Sequence, residues 1–86
     1  MSINETIKQR ASTYGCFETQ AMMAQYLKDQ MRKSETWGSL TCAQSEALDM
    51  IQQKIARILN TPESANYSDN WHDIAGYATL VEDLIE

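Results

Sequence analysis

Apolar residues recur every three to four positions along nearly the whole chain, and no segment alternates long enough to make a strand. That period confines the fold to packed helices. Its interruptions mark the helix ends. Ile3, Ile7 and Ala11 share one side of a short first helix over 3–12, which Gly15 interrupts. A second helix is expected over 17–33, with Phe17, Ala21, Ala24, Leu27 and Met31 as a buried stripe. Thr36-Trp37-Gly38-Ser39 reads as a turn. Thr41 opens a third helix, and Gln44 three residues later completes a capping box. Ala47, Leu48, Ile51, Ile55, Ile58 and Leu59 form its stripe, and Asn60-Thr61-Pro62 ends it. A fourth helix is expected over 69–85, with Ser68 as its cap. Trp71, Ile74, Ala75, Ala78, Val81 and Ile85 lie on one face of it, and Tyr77, Leu80 and Leu84 widen that face.

The expected fold is therefore all-α. It is a compact bundle with a short N-terminal helix and three longer antiparallel helices, joined by short loops into one domain over 1–86. A chain of 86 residues buries a modest fraction of its surface and is marginally stable alone. The apolar face of the fourth helix is broader than so small a bundle can cover. That surplus predicts a homo-oligomer.

Charge narrows the partners. The net charge is -5 and unevenly spread. Residues 1–40 carry five basic groups against four acids, whereas residues 41–86 carry two against eight. DNA and RNA are poor partners for such a chain, because their affinity rests on neutralising many phosphates at once. A small anion needing two or three cations remains open. Cys16 and Cys42 have no metal-ligand spacing and make no disulfide framework, so they read as free thiols of a reducing cytoplasm. Met1-Ser2-Ile3-Asn4 opens no apolar signal segment, and no apolar run approaches the roughly 20 residues needed to cross a bilayer. A soluble, intracellular protein that does not engage a membrane is expected.

The densest stretch is Asp69-Asn70-Trp71-His72-Asp73-Ile74-Ala75-Gly76-Tyr77-Ala78. A glycine inside a helix costs about 1 kcal/mol relative to alanine. Something must approach the backbone at Gly76, whether a neighbouring helix, a second subunit or a ligand. His72 lacks a serine or cysteine partner and a second histidine, so it reads as a surface or interface residue. Three scattered glycines form no phosphate-cradling loop.

Two constellations are candidates for chemistry. Glu46 with Asp49, and Asp69 with Asp73, place four carboxylates on two helices, a donor set suited to Mg²⁺. All-α nucleoside triphosphate pyrophosphohydrolases use such pairs. Glu46-Ala47-Leu48-Asp49 is similar to their second pair, but the first is missing, since the second helix offers only Glu18. The other constellation is Arg10-Ala11-Ser12-Thr13-Tyr14-Gly15-Cys16-Phe17 at a helix junction, with Lys28 on the second helix and Lys54 and Arg57 on the third. Tyr14 could stack on a nucleobase, a contact worth about 1–3 kcal/mol. Lys28 could neutralise a phosphate and Arg57 grip one bidentately. Gly15 would allow backbone approach.

Tyr14-Gly15-x-Phe17, Leu40-Thr41, Lys54-Ile55-Ala56-Arg57 and Asp69-Asn70-Trp71-x-Asp73-Ile74-Ala75-Gly76-Tyr77-Ala78 occur in an order that resembles a group of small phage and prophage proteins associated with nucleotide modification. One branch looks like the anti-CBASS cyclic-oligonucleotide sponges of tailed phages. The resemblance runs from about residue 8 to residue 85. It implies a phage counter-defence protein in the host cell cytoplasm. Such a protein binds cyclic di- and trinucleotide messengers, such as cyclic GMP-AMP, without cleaving them. It also implies a homohexamer with nucleotide sites at subunit contacts, a tyrosine stacking on a base and a second-helix lysine meeting phosphates. Tyr14 and Lys28 are the matching positions. Larger relatives often carry an acid after the Tyr-Gly; Cys16 stands there in this chain, which weakens a metal-dependent enzyme reading. The expected ligand-binding residues are Tyr14, Gly15, Phe17, Lys28, Lys54 and Arg57, with no catalytic residue, metal or cofactor. The alternative is a Mg-dependent, all-α pyrophosphohydrolase-like enzyme.

Overall fold

The computed structural model describes residues 2–85. Among them the chain is all-helical, with helices α1 (Ile3–Tyr14), α2 (Phe17–Arg32), α3 (Cys42–Asn60), α4 (Pro62–Ala65) and α5 (Ser68–Leu84), and a 3₁₀ helix at Glu35–Ser39. The third helix is the hub and touches every other α-helix. No helix is long and apolar enough to cross a membrane.

Local chemistry sets the boundaries. The Ser2 hydroxyl caps α1 by accepting from Glu5 N at 3.2 Å. The helix runs two residues past the expected end and stops at Gly15, whose φ of 85° only glycine adopts readily. Two residues at the end of α3 then bind the last carbonyls of α1. Asn60 Nδ2 donates to Tyr14 O at 2.7 Å, and Thr61 Oγ1 donates to Thr13 O at 2.6 Å. Asn60 Nδ2 also reaches Cys16 O at 3.0 Å, just before α2. The orphan carbonyls of one helix are thus satisfied by side chains of another.

The Thr41–Gln44 capping box forms as expected, with bonds of 2.9 and 3.1 Å. The segment expected as a turn is instead the 3₁₀ helix, capped by Ser34 Oγ. Arg32 fastens this stretch to the bundle: its guanidinium lies 4.6 Å from the Trp37 ring centroid and pairs with both Asp49 oxygens, at 3.1 and 2.9 Å. The sequence pattern did not foretell α4. Pro62 sits at its first position, where a missing N–H costs nothing, and Thr61 Oγ1 accepts from Ser64 N at 3.0 Å. The N-cap of α5 is Tyr67, and Ser68, expected as the cap, is already inside the helix.

The core departs most from expectation. Among the described residues the buried apolar side chains are Ala47 and Ala56 alone. Gln20, Gln52, Lys54, Ser64 and Asn70 are buried as well. The stripes of α2 and α3 do not close: Phe17 is 77 % exposed and Leu59 61 %. Ala21, Ala24, Leu27 and Met31 of α2 and Ile51 and Ile58 of α3 are only half-buried, and Phe17, Leu48, Ile55 and Leu59 are exposed.

Candidate functional site

Tyr14 stands in the last turn of α1 and Arg57 in the last turn of α3. The bonds from Asn60 and Thr61 hold those two helix ends together. The result is a stack: the Arg57 guanidinium lies 4.8 Å from the centroid of the Tyr14 ring. Tyr67 meets the same ring edge-on, with centroids 6.1 Å apart. Arg57 Nε is shielded from water and has no hydrogen-bond partner among the described residues. Leaving such a donor unmet is costly, so an acceptor arriving from outside would be favoured.

The stack opens into a groove of about 410 Å³ between α1, α2 and α3, lined among others by Arg10, Tyr14, Gly15, Phe17, Gln20 and Arg57. Two arginines line it and no carboxylate does. In a chain of net charge -5 that is a local inversion of sign. An arginine presents a planar fork matched to phosphate, and stacking pre-orients that fork. Exposed Phe17 and half-buried Tyr14 supply flat apolar surface for a base.

Of the six residues expected to bind ligand, the groove gathers Tyr14, Gly15, Phe17 and Arg57. Lys28 and Lys54 are not brought into it. Lys28 lines a neighbouring groove of about 330 Å³ between α2 and α3, with Glu46, Asp49 and Gln52. The two grooves share Phe17, Gln20 and Gln53, so one continues into the other. Lys54 turns toward α5, where its largely buried ammonium meets Asp73 Oδ2 at 3.3 Å. Lys54 and Arg57 are three positions apart, a little under one helical turn, yet their tips serve different neighbours. Arg10 was not among the expected site residues. Its signal was present, because it lies four positions before Tyr14, on the same face of the helix.

The four carboxylates do not converge. Asp49 is engaged by Arg32 and Asp73 by Lys54. Among the described residues no three His, Cys, Asp or Glu side chains are close enough to hold a metal ion together. Asp69 lies instead beside Tyr67. As a hydrogen-bond acceptor and then as a negative charge, it raises the Tyr67 phenol above its ordinary pKa of 10.0. His72, Asp73, Gly76, Tyr77 and Leu80 form a shallow surface on α5. Apart from the backbone of α5 itself, no atom of the described residues lies within 4 Å of where a Gly76 side chain would begin, so the approach expected there is not made by another helix of the chain.

A family model described as a domain of unknown function (DUF6378) matches residues 2–85. No curated protein and no solved structure matches.

Proposed function

We propose that this chain, which belongs to the DUF6378 family, is a non-catalytic binding protein that sequesters cyclic di- and trinucleotide messengers such as cyclic GMP-AMP. It acts as a homo-oligomer, a hexamer by the resemblance, and releases the messenger uncut. In a phage it would work in the host cytoplasm, keeping the messenger from its CBASS effector.

The observation that carries the reading is the Arg57–Tyr14 stack, whose buried Nε lacks a partner at the head of a groove with two arginines and no carboxylate. Phosphate oxygens suit the two guanidinium groups, and Phe17 suits a base face. The continuation toward Lys28 gives room and a further cation for a second nucleotide. The opening at one side of the groove suits a ligand closed over by a neighbouring subunit, because one chain of this size cannot enclose it.

The pyrophosphohydrolase reading has less support. Two of its four carboxylates already hold basic side chains of the same chain.

Calorimetry with 3′,3′-cyclic GMP-AMP is expected to show saturable, stoichiometric uptake, and heating the complex is expected to return intact nucleotide. Absence of uptake for every cyclic di- and trinucleotide would remove the proposal. Recovery of cleaved nucleotide would replace it with an enzyme.

A further inference from the structure

Gln52 lies inside the bundle, 3 % exposed, with half of its amide unused. Its Nε2 donates to Asp49 O at 2.9 Å, back along α3. That bond fixes the amide, because turning it over would set Oε1 against a carbonyl oxygen. Oε1 is shielded from water and meets no donor among the described residues. A buried acceptor left unmet is costly, so a donor supplied from outside is favoured.

The surroundings say what kind of donor. Gln52 lines the groove between α2 and α3, where Ala21 and Ala24 keep the α2 wall low. Two acids line the same groove. Both oxygens of Asp49 are taken by Arg32. Glu46 stands one turn before Asp49, on the side toward which the Gln52 amide reaches, and makes no ion pair among the described residues. Lys28 faces the groove from α2 and is likewise unpaired among them. One wall thus offers two acceptors, Gln52 Oε1 and the Glu46 carboxylate, and the other a donor. Phosphate suits the two arginines of the neighbouring groove, whereas two carboxylates repel it here. A flat group with adjacent N–H donors and an acceptor on its next edge suits this groove.

We infer that the α2–α3 groove reads a base of the bound nucleotide and selects guanine. Guanine carries N1–H and N2–H₂ side by side, donors for Glu46 and Gln52 Oε1, and its O6 and N7 accept from Lys28. Adenine turns a lone pair toward the carboxylate where guanine turns a hydrogen. Met50 and Ala24 supply apolar contact for the ring. Admitting the N–H to the shielded oxygen takes rotation of a flexible neighbour, Gln20 or Gln53. Both also line the arginine groove, so the sugar and phosphate of the same nucleotide continue toward Arg57. The inference rests on the sequestration reading and adds which base the site prefers.

Calorimetry of the full chain with 3′,3′-cyclic di-GMP and cyclic di-AMP tests it, together with side-chain amide NMR in guanosine and adenosine, which carry no phosphate. Cyclic di-GMP is expected to bind about tenfold or more tightly than cyclic di-AMP. Glu46 is exposed, so Glu46→Gln keeps the fold, and it is expected to remove most of that preference. Guanosine, and not adenosine, is expected to shift the Gln52 amide signals, which are identified by their loss in Gln52→Met. Equal affinities, or a preference that Glu46→Gln leaves intact, overturn the inference. Guanosine without effect while cyclic dinucleotides bind overturns it too and leaves sequestration standing. Guanosine taken up while no cyclic nucleotide binds keeps the base pocket and removes sequestration.

Discussion

At Gly15 a β-carbon would sit 2.6 Å from Thr61 Cγ2 and 3.0 Å from Asn60 Nδ2, on a backbone at φ +85°; at Gly76 it would meet nothing within 4 Å. The first glycine belongs to a junction that the chain completes by itself. Asn60, Thr61, Ser64 and Asn70 knit the ends of α1, α3 and α4 and the start of α5, with every bond made between neighbours. The second belongs to a face that the chain leaves open. The difference shows where this protein invests its own residues. The polar groups of this junction are satisfied internally, whereas many large apolar side chains are left outward. That is the reverse of a domain made to stand alone, where apolar side chains fill the interior.

The junction at Gly15 is the position most sensitive to substitution. Gly15→Ala is expected to destabilise by about 3 kcal/mol, combining the steric penalty of a positive φ with a clash against Thr61. Urea unfolding at fixed protein concentration measures it, since assembly would otherwise shift the midpoint. A loss under about 1 kcal/mol would mean that the junction is loose. Asn70→Ala tests the same region one step further in. The Asn70 amide is 1 % exposed and donates to both Ser64 O and Ser64 Oγ at 3.0 Å. Its removal is expected to cost about 2 kcal/mol in the same measurement.

The sequence made some of this legible and hid the rest for physical reasons. Helices announce themselves through period, and the Thr41–Gln44 box through residue type at fixed spacing, so those matched. The short α4 spans one turn, too little for a period to register, and only Pro62 at its start marked it. Asn60 looked like a stop signal because its partners, Tyr14 O and Cys16 O, lie more than forty positions away. The same distance hid the Arg57–Tyr14 stack, although both residues stood out singly. Lys54 and Arg57, by contrast, were grouped by closeness in sequence. The helix separates them, sending one to Asp73 and the other to Tyr14.

Substitution of Arg57 tests whether the self-completed junction serves a ligand. Arg57→Ala is expected to lower the affinity for cyclic GMP-AMP by about tenfold or more, the loss of one charge-assisted contact, with unfolding little changed. Equal affinity by calorimetry would detach the stack from the site. Nearby, the phenol of Tyr67 reports on the same end of the groove. Its pKa is raised above 10.0 by Asp69. Folding stability from this group is therefore complete below the ordinary phenol pKa and fades as pH rises through the raised one. Phenolate absorbance should show a late-titrating step from Tyr67, and Asp69→Asn should remove it.

The smallest effect carries the opposite sign. Gly76→Ala adds a methyl group where the chain has space, and it replaces the weakest ordinary helix former with the strongest. It is expected to stabilise by about 0.5–1 kcal/mol, read from unfolding midpoints of Gly76→Ala and the natural protein over a dilution series. A gain that shrinks or reverses as concentration rises would show that something outside the chain meets the helix at this glycine. Gly15→Ala under the same dilution should lose stability at every concentration, because what it meets is already in the chain.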